Sequence, residues 1–253
     1  MRDRVIFVLL LLLGWQIGGT WLGPEQISTP WLVAGQLYHW VAEGSIGIHV
    51  GYTLLEGTLG FLIGGLPGLV LPLLLRRRPF LTAVLNPFIV VAYGLPKVAF
   101  IPLFIIWFGI GIWSKVALVA SVSFFLVFFS MLEGVKSVDP RLLRMARVAG
   151  ANEPQILWTI VLPSTTPFAF QAIQIALPLS IGGAAVAELI SSNRGLGYLV
   201  QSSAANFEIT GALAAVTALT LLVALANIGV AAAERHLLSW QPKPMGNVEE
   251  CGP

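Results

Sequence analysis

The sequence is short of cysteine, of charge and of the side-chain clusters that perform chemistry. A single cysteine, Cys251, excludes an internal disulfide and a thiolate metal cluster. Only 10% of the 253 residues are charged, against about 25% in an ordinary soluble domain. The phosphate-loop pattern G-x-x-x-x-G-K-[ST] does not occur, so the chain is not expected to hydrolyse ATP on its own. H-E-x-x-H is missing as well. His39, His49 and His236 are scattered, so no metal site is expected. Ser191 and Ser192 have no histidine near them in sequence, which argues against a membrane serine protease. No catalytic residue is assigned.

What is there is apolar. Hydrophobic residues make up 57% of the chain, and the mean hydropathy is +0.85. Only helices or a closed barrel satisfy the backbone in lipid. The apolar runs are long and do not alternate, so the expected fold class is all-α, a polytopic membrane protein of about six transmembrane helices. The expected spans are 5–22, 50–75, 85–108, 113–133, 167–189 and 211–233. The first resembles a signal peptide in its basic start and leucine run. It has no clean small-x-small site and carries Trp15 and Trp21, so it reads as a retained helix, with Gly14 and Gly18 as a packing pair. Trp31 to Ala42 reads as an interfacial helix. In the second span Gly60, Gly64 and Gly68 are four apart and allow another helix to approach closely. Pro87, Pro96 and Pro102 prevent the third span from being one straight helix. Pro178 is expected to kink the fifth, where Gly182, Gly183, Ala184 and Ala185 form a small-residue face.

Charge sets the orientation. Of the fourteen lysines and arginines, all but Lys97, Lys115 and Arg194 fall on one side of this arrangement. That side is therefore expected to be cytoplasmic, with both termini on it. Lys97 stands within the third span, Glu56 in the outer half of the second, and Glu188 at the outer end of the fifth. Ionisable groups in such places are candidates for a substrate pathway. For Lys97 the other reading is a structural ion pair with Glu56 or Glu188, and for Glu56 a position at the aqueous boundary. Residues 1–238 form one transmembrane domain, and 239–253 read as a flexible cytoplasmic tail.

The most informative stretch runs from Asp139 to Pro163, between two apolar spans. Asp139 can cap a helix that Pro140 begins. Arg141, Arg144 and Arg147 recur every three residues as an exposed stripe, with Leu142, Leu143 and Ala146 on the other side. Gly150 suits the stop. Asn152 and Gln155 form a capping box for a second short helix, which is expected to end before Pro163. Two short helices meeting at a bend with arginines outward form a docking element.

The spacing of this stretch resembles the cytoplasmic signature loop of bacterial ABC-importer permeases: Glu-Ala-Ala, three residues, Gly, nine residues, Ile-x-Leu-Pro. Ala146, Gly150, Ile160, Leu162 and Pro163 stand in register. Arg144 and Met145 depart from the usual Glu and first Ala. The run LPKVAFIPLFIIWFGIGIWSK (95–115) and the sequence Gly195-Leu196-Gly197-Tyr198-Leu199 resemble the permeases that serve nitrate, sulfonates and taurine, in which Glu188 also has a counterpart. In the second span Thr53, Leu54, Gly60 and Phe61 fit that group's pattern, and Glu56 replaces its Arg.

The resemblance covers 50–235 and implies a type I ABC importer permease. Its coupling loop would be 135–165. Arg141, Arg144, Met145, Ala146, Arg147, Gly150 and Ala151 would meet a separate ATPase, which binds ATP and Mg. A second permease copy and an extracytoplasmic solute-binding protein complete the implied assembly in the bacterial inner membrane. No cofactor in this chain and no nucleic-acid partner are expected. The other readings are an ion-coupled secondary transporter, for which no convincing internal repeat is visible, a permease for a neutral or aromatic vitamin precursor, a membrane enzyme, and a structural scaffold.

Overall fold

The computed structural model describes residues 2–23 and 26–237, and among these every regular element is helical. The expected tail with Cys251 lies outside the described residues, as do the side chains of Arg2, Arg4 and His236. Eleven α-helices follow one another: α1 (Arg2–Leu22), α2 (Pro30–Ala42), α3 (Ser45–Leu75), α4 (Pro79–Gly94), α5 (Ile101–Phe108), α6 (Ile112–Lys136), α7 (Pro140–Val148), α8 (Glu153–Ile156), α9 (Leu162–Ser191), α10 (Leu196–Ala205) and α11 (Ile209–Leu237).

Among the described residues, four helical segments are long and apolar enough to cross a bilayer: Ser45–Leu75, Ile112–Lys136, Glu153–Ser191 and Ile209–Arg235. The third span, expected not to be one straight helix, is a bent pair. Pro79–Gly94 and Lys97–Phe108 meet at 82° across Leu95 and Pro96. Proline cannot donate its backbone N–H and its ring obstructs the preceding turn, so the chain breaks there and resumes as a short 3₁₀ turn, Lys97–Phe100. With that pair taken as one span the number is five. The expected first span, 5–22, falls within α1 (Arg2–Leu22). It packs on α2, and Trp15 Nε1 donates to the Ser28 carbonyl at 2.8 Å. Gly14 and Gly18 have open space around them, so they do not form a packing face within this chain; Gly19 is the glycine set against Thr29.

The core lies where α3, α6 and α9 cross. The four-residue glycine spacing of α3 does what was expected of it. A Cβ at Gly60 would stand 2.4 Å from Val119 Cβ, one at Gly64 2.0 Å from the Ala120 carbonyl oxygen, and one at Gly68 2.8 Å from the Phe124 carbonyl oxygen. The stripe therefore lets α3 rest almost directly on the backbone of α6. Val127, Met131, Ala172 and Ala176 fill the α6–α9 seam. Ser123 and Ser180 share a hydrogen bond across that seam at 2.7 Å: one hydroxyl donates to the other, which donates to a carbonyl of its own helix.

Two stretches differ from expectation. The helix opened by Asn152 does not stop before Pro163. Leu157–Val161 is a π-helical turn that joins α8 to α9, and Pro163 then falls in the first turn of α9, where its missing N–H is not needed. The segment after Arg194, between the expected fifth and sixth spans, contains α10, for which no helix was expected.

Candidate functional site

The stretch from Asp139 to Gln155 folds as its caps dictate. Asp139 accepts from the Arg141 N–H at 2.7 Å and opens α7, with Pro140 in its first turn. Gly150 adopts φ +85°, a left-handed conformation suited to glycine, and Ala151 N–H reaches back to the Ala146 carbonyl at 2.9 Å. Asn152 and Gln155 bond reciprocally at 3.0 and 2.8 Å as a capping box. Leu143 and Ala146 turn inward onto a cluster of Val138, Ile156 and Val161. Arg141, Arg144, Met145 and Val148 face outward, Met145 67% and Val148 90% exposed. Leu142, expected beside Leu143, is exposed as well. Leu142 and Leu143 lie about 100° apart around α7, and only Leu143 turns to the cluster.

What holds this element to the bundle is Glu153, which sequence reasoning passed over. Its carboxylate meets Arg76 at 3.1 Å, Arg77 at 3.7 Å and Arg147 at 3.3 Å. The three arginines come from the end of α3, the connection after it and α7. An acidic residue just after a helix cap reads as a dipole partner; only the fold shows it collecting three charges. Arg147, expected among the outward arginines, is thus partly committed inside the element.

At the opposite ends of the long helices, a second polar group is buried. Glu56 of α3 and Glu188 of α9 are each 1% exposed. Lys115 of α6, expected on the outer surface, is also buried, and its Nζ lies 3.4 Å from Glu56. Glu188 accepts from Thr53 Oγ1 at 2.8 Å and from the Gly197 N–H at 2.7 Å. Thr53 in turn accepts from the Leu196 N–H at 2.8 Å. The first two amides of α10, which no helical carbonyl can satisfy, are therefore held by α3 and α9. His49 Nδ1 accepts from Gly195 N–H at 3.1 Å, and its ring stacks on Tyr198.

The glycines here are required. A Cβ at Gly195 (φ +111°) would lie 2.2 Å from the Glu188 carboxyl carbon, and one at Gly197 2.1 Å from the Ala185 carbonyl oxygen. The group can fasten α10 to the bundle; it offers no open face to a solute in this conformation.

Lys97 is brought to neither carboxylate. Its ammonium donates to the carbonyls of Ala92 (3.1 Å) and Tyr93 and stands over the Phe125 ring at 4.6 Å and the Tyr93 ring at 5.1 Å. The ion pair weighed for it with Glu56 or Glu188 does not form, because Lys115 holds that place. The break at Pro96 leaves the last carbonyls of α4 without helical donors, and Lys97 supplies them. Nearby, Tyr93, Phe125, Phe129 and Ser130 line a cavity of about 350 Å³. Among the described residues no three His, Cys, Asp or Glu side chains gather into a ligand set for a metal.

A bundle of long apolar helices with a broken span and an outward-facing cap-bend-cap element is the architecture of a polytopic membrane protein that presents a docking surface. Residues 57–239 match the family described as "Binding-protein-dependent transport system inner membrane component", and the chain belongs to that family. It is the permease subunit of an ABC importer, a multi-pass inner-membrane transport component without an ATPase site of its own.

Among its relatives, the formylaminopyrimidine transport permease protein ThiX of Halalkalibacterium halodurans is 29% identical over 95% of this chain and 96% of that protein. The taurine transport system permease protein TauC of Escherichia coli is 32% identical over 78% and 72%. The putative aliphatic sulfonates transport permease protein SsuC of the same organism is 30% identical over 90% and 88%. In fold, the chain is similar to an inward-facing structure of the MetNI methionine ABC transporter, with a TM-score of 0.61 at 21% identity over 82% of this chain and 97% of that one.

Proposed function

We propose that this permease moves a small organic solute, of the sulfonate and taurine kind, that an extracytoplasmic binding protein delivers to a pair of permease chains. The stretch 139–155 takes the motion of the ATPase and passes it to the spans. The observation that carries this reading is the construction of that stretch. Its inner face is packed on the bundle, its carboxylate Glu153 ties it to α3, and its outer face is left for a partner. Because α8 runs through the π-turn into α9 without a break, a displacement of α7 and α8 is delivered straight to a long span.

The substrate class rests on the 95–115 pattern and on the named transport functions of two relatives, TauC and SsuC. A second reading has its own support. The cavity beside Lys97 is walled by the rings of Tyr93, Phe125 and Phe129, surfaces that suit a planar heteroaromatic solute. The relative ThiX is named for formylaminopyrimidine. Lys97 stands over two of those rings, while Glu188 acts on the solute only indirectly, by positioning α10, and Glu56 by holding Lys115.

Reconstitution into vesicles with the ATPase and binding protein tests the reading. ATP-dependent uptake of taurine or an alkanesulfonate supports the first substrate class, and uptake of an aminopyrimidine with none of sulfonate supports the second. Transport that ignores ATP and collapses with an ionophore would reject the importer mechanism in favour of ion coupling.

A further inference from the structure

The outward face of α7 carries a charge pattern that specifies its partner. Arg141 and Arg144 are three residues apart, on neighbouring positions of one helical side. Among the described residues neither guanidinium has a carboxylate partner. The acidic groups within reach are engaged elsewhere: Asp139 caps α7, and Glu153 already meets Arg76, Arg77 and Arg147. Met145 and Val148 stand beside the arginines, largely exposed. The remaining apolar face, Leu143 and Ala146, is spent on Val138, Ile156 and Val161 and cannot turn outward. The docking surface is therefore a narrow row of three apolar side chains, Leu142, Met145 and Val148, flanked by two unpaired cations.

We propose that α7 docks into a groove of the partner ATPase that has an apolar floor for Met145 and Val148 and carboxylates on its walls for Arg141 and Arg144. This rests on the reading that the 139–155 stretch meets the ATPase and adds the chemistry of the surface that receives it. Docking strips water from the guanidiniums, and a desolvated cation without a counter-charge is strongly unfavourable. The planar five-donor fork of arginine is matched by a carboxylate that accepts two parallel N–H bonds. A groove built with a cation at this place would repel Arg144, so an ATPase suited to an acidic residue here would not serve this permease.

An anionic lipid surface offers similar acceptors. A helix lying on lipid needs a broad apolar face in the membrane, and α7 divides its apolar residues between the bundle and a single exposed row.

The test uses the full permease in nanodiscs and the ATPase that co-purifies with it, with affinity measured directly. Arg144→Glu and Arg141→Glu should each weaken binding by about tenfold or more, because attraction becomes repulsion. Both variants should unfold at the temperature of the native chain, since neither side chain has an internal partner. Raising salt from about 50 to about 500 mM should weaken the native pair and leave Arg144→Glu much less affected. Changing one groove carboxylate of the ATPase to lysine should restore binding to Arg144→Glu and weaken binding to the native permease.

Variants that bind as the native chain does, without salt dependence, would overturn the acidic groove while leaving the ATPase reading intact. An effect present in anionic nanodiscs and lost in zwitterionic ones would assign the arginines to lipid headgroups. A native permease that binds no ATPase at all would remove both this inference and the reading beneath it.

Discussion

Two glycines on one helix make opposing predictions. Gly51 and Gly64 both lie inside α3, so each surrenders the same backbone freedom when the helix forms. Gly51 has no heavy atom within 4 Å of where a Cβ would stand. Gly51→Ala should therefore stabilise the chain by about 0.5–1 kcal/mol, the ordinary difference between the two residues in a helix. At Gly64 the same methyl would sit 2.0 Å from the Ala120 carbonyl oxygen and 2.8 Å from Ala120 Cα, where real Cβ contacts essentially never fall below 3.0 Å. The obstruction is backbone, so no rotamer relieves it, and α3 and α6 must part by about 1 Å.

A gap of that size forfeits a quarter to a half of each contact's attraction along the seam. Overpacking of this kind costs about 1–3 kcal/mol. The seam lost here includes Gly60 on Val119 and Gly68 on Phe124, so the upper end applies, and the propensity gain offsets only a fraction. Gly64→Ala should destabilise by about 2 kcal/mol net. Reversible unfolding in mixed micelles, on both variants and the native chain, reads the difference. Equal shifts of the same sign would refute the reasoning, because they would mean that the helices do not touch at this point.

Other substitutions probe the two polar groups. Lys115→Met leaves Glu56 buried without its cation and should destabilise by about 3–5 kcal/mol, the range for breaking a buried pair. The double variant with Glu56→Gln should recover most of that loss in the same unfolding assay. Gly150→Asp meets no obstructing atom but forces an acidic side chain into the left-handed conformation beside the outward face of α7. It should reduce ATPase co-purification severalfold while the amount of chain in the membrane is unchanged, and unaltered co-purification together with unaltered uptake would remove Gly150 from the coupling element.

Class, register and caps were legible without coordinates, and each for a local reason. Low charge and unbroken apolar runs define a membrane helix by length alone. Asp139, Asn152 and Gln155 act on amides two or three residues away, so their hydrogen bonds could be foreseen from spacing. Gly60, Gly64 and Gly68 announced a close approach because four-residue spacing puts small residues on one face. The identity of the helix that approaches was not written there: α6 meets that face, and the meeting depends on the whole bundle.

The same limit governs charge. Glu56, Lys97 and Glu188 stood out as ionisable residues in apolar segments, but pairing is a property of distance in space. Lys115, expected on the outer side of the membrane, is instead buried in the bundle and takes Glu56. Lys97 is left to the carbonyls exposed by Pro96. Glu153 gathers Arg76, Arg77 and Arg147 from segments as many as 77 positions away in sequence. Local chemistry therefore settles where helices start, stop and rest on one another, whereas only the packed bundle decides which buried charges meet, since in a membrane every one of them must find a partner and several partners lie equally far off along the chain.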